Sequence, residues 1–174
     1  MTMLAPVKID GFGTRRNASD TEVANLNVRD QYVRMFAGET MTKGDAVALY
    51  IKDTEPAEGY GNVIMKAITS QREYKYAIGI LAEDSGTVTG TDYPIVKVQV
   101  SGICTFAKVG ANISDQTKDG FLVCASNEAG ELEDLVTDAA LGAGGDQIPI
   151  GILIEFGTDA TADSKVLLRN PFNL

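Results

Sequence analysis

Short apolar runs, each stopped by glycine or a polar turn, recur along this chain and leave it few ways to fold. They occupy residues 32–36, 46–51, 63–67, 76–82, 121–125, 148–156 and 165–169. Between them, Val96, Val98 and Val100 alternate with Lys97 and Gln99, the pattern of a half-buried strand. Residues Gly102 to Phe106 continue that run, with Gly102 as a bulge or bend. Leu132 and Leu135-Val136 read as a weak strand or one helical turn. No segment holds an amphipathic helical period beyond about three turns. The expected fold is all-β, a compact barrel or sandwich.

An internal echo adds symmetry. Ile-Gly-Ile-Leu occurs at 78–81 and again at 150–153, 72 positions later. A polar turn lies upstream of each copy, Lys43-Gly44-Asp45 in one half and Lys118-Asp119-Gly120 in the other. Two pseudo-repeated halves are therefore expected. The glycine inside each apolar run implies that a neighbouring backbone or side chain lies close against the strand.

The chemical inventory is thin. The chain lacks histidine and tryptophan. Ser-His-Asp and Cys-His nucleophile pairs are impossible, as are HExxH and Cys/His zinc sites. Paired carboxylates for glycoside hydrolysis remain possible by composition, but 7% aromatics supplies little for stacking on sugars. The glycines at 79 and 142–145 lack the spacing and following helix of a phosphate loop. Glu131, Glu133 and Asp134, with Asp115, Asp119 and Asp138, could gather round a hard cation. Without EF-hand spacing, solvated turns are the expected reading. No enzyme activity, cofactor or metal is expected. Net charge is −9, the wrong sign for neutralising phosphates, so no nucleic-acid partner is expected. Cys104 and Cys124 sit in apolar runs and are expected as buried free thiols.

Residues 1–33 differ from the rest. Lys8, Arg15, Arg16 and Arg29 balance Asp10, Asp20, Glu22 and Asp30, so the whole negative balance belongs to residues 34–174. The segment is glycine- and asparagine-rich and aperiodic. It reads either as a disordered terminus or as an extended arm that orders on a partner. The expected organisation is an arm at 1–33 and a β-domain at 34–174. The arm's candidate anchors are Phe12, Leu26 and Val28, with Arg15 and Arg16 as charged contacts. No apolar h-region opens the chain and no stretch reaches the length of a membrane span, so neither a signal peptide nor a membrane partner is expected.

The order of several motifs is familiar. Residues 36–49 read Phe-Ala-Gly-Glu-Thr-Met-Thr-Lys-Gly-Asp-Ala-Val-Ala-Leu. They are followed by Lys66-Ala67, Ala77-Ile78-Gly79-Ile80-Leu81, Val98-Gln99-Val100-Ser101-Gly102 and Pro149-Ile150-Gly151. Over about residues 36–156 this order resembles the capsid decoration, or cement, proteins encoded among the head genes of tailed bacteriophages. The resemblance implies a non-enzymatic structural protein of the virion, made in the host cytoplasm and bound to the capsid exterior. Its partner would be the major capsid protein. It would act as a homo-oligomer over capsomer junctions, as a trimer or alternatively a dimer. Under that reading Phe12, Arg15, Arg16, Leu26 and Arg29 form the capsid-binding arm. The alternatives are a phage tail, baseplate or host-binding β-domain, and then an enzyme or metal-binding barrel.

Overall fold

A computed structural model describes residues 30–50, 62–70, 76–89, 92–110, 122–135, 148–158 and 161–169, with the backbone of two short pairs at 8–9 and 13–14. Among the described residues there is no helix. The short pairs are β1 (Lys8–Ile9) and β2 (Gly13–Thr14), which are antiparallel to each other. The remaining strands are β3 (Gln31–Ala37), β4 (Ala46–Leu49), β5 (Val63–Lys66), β6 (Ala77–Leu81), β7 (Ile95–Lys108), β8 (Leu122–Ala125), β9 (Leu132–Asp134), β10 (Gly151–Glu155) and β11 (Ala162–Leu168). These nine form one sheet among the described residues.

The sheet closes on itself. Its order begins β3-β5-β4-β6-β7, and β7 pairs back with β3, giving a five-stranded barrel. Closure needs one parallel seam, β3 against β5, with Phe36 opposite Val63 and Ala37 opposite Ile64. Of the two expected architectures, the first half is therefore the barrel. Its interior holds Met35, Ala37, Met41, Val47, Ile64, Leu81, Val96, Val98 and Val100. Alternation places Val96, Val98 and Val100 inward together, because side chains two apart share a face of the strand.

β7 runs for 14 residues and changes partners midway. Its first half pairs with β3 and β6, its second with β11. Gly102 sits at the change with φ +98, the left-handed region that L-residues with a Cβ resist. Asp30 lies against the same glycine: a Cβ there would come within 2.8 Å of the Asp30 amide nitrogen.

Beyond β7 the order continues β11-β10-β8-β9. A single parallel bridge, Val109 opposite Leu132, returns β9 to the end of β7. The second run thus forms its own five-stranded ring with the connectivity of the first. The second half of β7 corresponds to β3, β8 to β4, β9 to β5, β10 to β6 and β11 to the first half of β7. The match extends to single residues. Gly38 N donates to Ile64 O at 2.9 Å, and Gly110 N donates to Leu132 O at 2.9 Å. Val47 pairs with Gly79, and Val123 with Gly151. Leu81 pairs with Val98, and Leu153 with Val166.

The repeated Ile-Gly-Ile-Leu runs are β6 with its partner position in β10. A Cβ on Gly79 would stand 2.5 Å from Gln99 O and 2.6 Å from Val98 Cγ1. A Cβ on Gly151 would meet the equivalent atoms, Leu167 O and Val166 Cγ1. The glycine in each copy is therefore required by close approach of the next strand. The strand of the second run starts well inside its apolar stretch. Pro149 lacks an amide proton, and β10 starts at Gly151.

The two rings share a core. Ala46, Ala48, Ala67, Ala77 and Ile80 on the outer wall of the first ring pack with Cys104, Val109, Val123, Leu132, Leu153 and Val166 of the second.

Candidate interaction surface

The polar turn Lys43-Gly44-Asp45 joins the rings. Gly44, with φ +94, accepts the Lys108 amide at 3.0 Å and donates its own to Leu81 O at 2.8 Å. Asp45 follows, with only 3% of its side chain exposed. Its carboxylate receives Lys108 Nζ at 2.5 Å and Thr42 N at 2.8 Å, with Lys66 Nζ at 3.8 Å. Lys108 Nζ also donates to Thr42 Oγ1 at 2.6 Å. Lys108 ends β7 and Asp45 precedes β4, so the pair clips the second ring's first strand to the first ring. Three backbone bonds extend the clip: Ala46 N to Gly130 O, Gly130 N to Ala67 O, and Thr69 N to Ser126 O, at 2.7, 3.0 and 2.9 Å. Burial makes these bonds consequential, since an unpaired charge there would be desolvated without return.

The anchors expected in the N-terminal segment, Phe12, Arg15, Arg16, Leu26, Val28 and Arg29, lie outside the described residues. Besides the backbone of β1 and β2, the described part of that segment is its end. Asp30 Oδ1 accepts Ile103 N at 3.2 Å and Gln99 Nε2 at 3.3 Å. Strand pairing begins at the next residue, with Gln31 opposite Ser101. The last residues of the segment read as an arm, 31–33, are thus the start of β3. Beside them Lys97 Nζ stands 4.0 Å from the centre of the Tyr32 ring, a cation–π distance. Burial, then the Asp30 carboxylate, holds the Tyr32 hydroxyl above its ordinary pKa.

Both thiols are free and buried. Burial pushes Cys104 up to about 12 and Cys124 up to about 12, the latter aided by Glu133 and Asp134. Neither is an activated nucleophile at neutral pH. The acidic residues at 131–134 serve the strands. Ser126 Oγ donates to Glu133 Oε2 at 3.2 Å, and Asp134 is buried in β9. No group of three or more acidic or thiol ligands among the described residues could hold a metal ion. Asp115, Asp119, Asp138 and the glycines at 142–145 lie outside the described residues.

One feature escaped sequence reading. Leu122 on β8 is opposite Ile152 on β10, Ile152 opposite Leu167 on β11, and Leu167 opposite Ile103 on β7. Register neighbours share a face, so the four make one apolar row across the outside of the second ring. Leu122, Ile152 and Ile103 are 45%, 39% and 42% exposed, and Leu167 is half-buried. Contiguous exposed apolar side chains mark interaction sites more often than scattered ones do. The Lys165–Glu155 ion pair lies beside the row on β10 and β11, and the Asp30 carboxylate, which accepts Ile103 N, lies at its β7 end. The signal was present in sequence as apolar residues at alternating positions, but choosing the outward set required the register.

No family model matches the chain, and no curated protein matches it.

Proposed function

We propose that the chain is a non-enzymatic structural protein of a tailed-phage virion, which binds the outer surface of the capsid and cements neighbouring capsid subunits. The observation that carries this reading is where the resemblance-bearing residues lie. Lys43-Gly44-Asp45 forms the clip between the rings, Ile78 to Leu81 lies in β6, Ile150-Gly151 leads into β10, and Val98 to Gly102 leads to the bend of β7. The pattern shared with decoration proteins is thus one of architecture, and the all-β barrel agrees with what it implies.

The physics of cementing suits such a molecule. A protein bound across two capsid subunits adds free energy that must be lost before they separate. Many copies acting together hold a shell under internal pressure without strong single contacts. The major capsid protein is the proposed partner, with the neutral N-terminal segment and its Arg15-Arg16 pair reaching the shell. The acidic β-domain keeps free molecules soluble through mutual repulsion.

Co-sedimentation with expanded, empty heads of the phage encoding the chain tests this reading. The full chain and a version starting at Asp30, which keeps β3 and the Asp30 hydrogen bonds to Gln99 and Ile103, are compared. The full chain should pellet with heads, and the truncated one should bind more weakly. If neither pellets, the cement reading fails; equal binding removes only the arm's role. Gold label on tails in electron micrographs would instead favour a tail or host-binding role.

A further inference from the structure

We infer that the outward face shared by β3 and the first half of β7 binds an extended acidic peptide segment. Val33, Met35 and Ala37 pack on the barrel interior, so alternation turns Tyr32, Arg34 and Phe36 outward. The register sets Arg34 directly opposite Lys97, and Phe36 opposite Ile95. Arg34, Lys97 and Ile95 are exposed, and Lys97 Nζ lies over the Tyr32 ring. None of these five outward positions is acidic, in a chain with 24 Asp and Glu against 15 Lys and Arg.

Like charges directly opposite each other on a sheet repel, so the Arg34–Lys97 pair works against the fold until an anion joins it. Among the described residues neither cation forms an ion pair. The two acids that border the face are engaged by other donors. Glu83 Oε1 accepts the Lys97 amide at 2.9 Å, and Asp30 Oδ1 accepts Gln99 Nε2 and Ile103 N. Charge and spacing then define the occupant. A single carboxylate between the two cations takes a charge-assisted bond from each. In an extended peptide, side chains two apart share a face at the same repeat as those of β3. A segment lying over the pair sets an acidic side chain at Arg34 and Lys97 and an apolar one at Phe36 and Ile95. A nucleic-acid strand fits less well, because its phosphates call for many cations, and this face offers two on a chain of net charge −9.

This inference does not rest on the virion reading, because it is tested on the isolated full chain. The probe is a fluorescein-labelled peptide repeating Glu-Ser-Val-Ser, and its control repeats Gln-Ser-Val-Ser. Fluorescence anisotropy at low salt, with the chain titrated to about 500 µM, detects a submillimolar affinity. The acidic peptide should bind and the neutral one should not. Arg34→Gln and, separately, Lys97→Gln should weaken binding at least about fivefold, as loss of one charge-assisted bond does. Lys165→Gln, at an exposed cation on β11, should leave it unchanged. Arg34→Gln should also keep or raise the melting temperature, since it removes a like-charge contact. A wild-type chain that does not bind the acidic peptide overturns the inference, and so does a folded Arg34 or Lys97 variant that binds as wild type. A melting temperature lowered in Arg34→Gln would give the arginine a role in the fold and overturn it as well. Tighter binding of an oligothymidylate of equal charge would assign the face to nucleic acid instead.

Discussion

Removing the Lys108 ammonium should loosen the join between the two rings. In Lys108→Met the stem remains and the 2.5 Å bond to Asp45 is lost. The Thr42 amide and Lys66, 3.8 Å away in the wild type, are then the partners left to a side chain that is 3% exposed there. A hydrogen bond to a charged group contributes about 1.5–3 kcal/mol. Breaking a fully buried ion pair costs about 3–5 kcal/mol. The Lys108 side chain is 21% exposed and Lys66 remains, so the loss belongs at the lower end, about 2–3 kcal/mol. Urea unfolding of wild type, Lys108→Met, Asp45→Asn and the double variant measures it. The double variant should lose less than the sum of the singles by about 1 kcal/mol or more, the mark of direct coupling. Lys165→Met, which removes only the exposed pair with Glu155, should cost under about 0.5 kcal/mol. If Lys108→Met costs no more than Lys165→Met, the clip contributes nothing and the reasoning is refuted.

Three other outcomes follow from the geometry. Gly79→Ala and Gly151→Ala should each lower the melting temperature markedly, because both methyl groups would press on the carbonyl of the adjoining strand; a change within the error of the scan in either would deny close approach there. Gly102→Ala should destabilise by at least about 1 kcal/mol, the cost of a left-handed conformation for a residue with a Cβ, and Asp30→Ala added to it should relieve part of the loss in urea unfolding. Stability should fall as pH rises above the ordinary thiol range. The unfolded thiols ionise near 9.0 while the folded ones hold their protons to about 12, so across that window the unfolded state binds fewer protons and gains. Urea midpoints at pH 8 and pH 10 should differ in that direction, and the difference should shrink in Cys104→Ala and Cys124→Ala.

Most of the strand pattern was legible because it depends on local alternation and punctuation. The Ile-Gly-Ile-Leu echo also announced the repeat, since a close strand contact leaves a glycine in each copy. Three things were not legible. Gln99 alternates with valines and so belongs, by pattern, on the solvent side. The structure buries it completely, because Asp30 folds over the bend and takes its amide. Asp45 looked like an ordinary turn residue, for nothing local tells that Lys108, 63 positions away, will meet it. The second half repeats the first in connectivity far more than in sequence. Gly38 and Gly110 make the same hydrogen bond, but neighbouring side chains differ enough to hide the match. The proposed arm contacts rest on composition and resemblance alone.

The bend of β7 has a further meaning for how the molecule comes apart. Duplicated units are commonly strung on a linker, and each can then melt, be clipped off or be traded between proteins independently. Here the closing strand of one unit runs directly into the opening strand of the next, with no spare residue between them. A nick near Gly102 would deprive both rings of a wall at once. The pair should therefore behave as one unit under heat or pulling force, and the strand that binds the repeats together also prevents their separation.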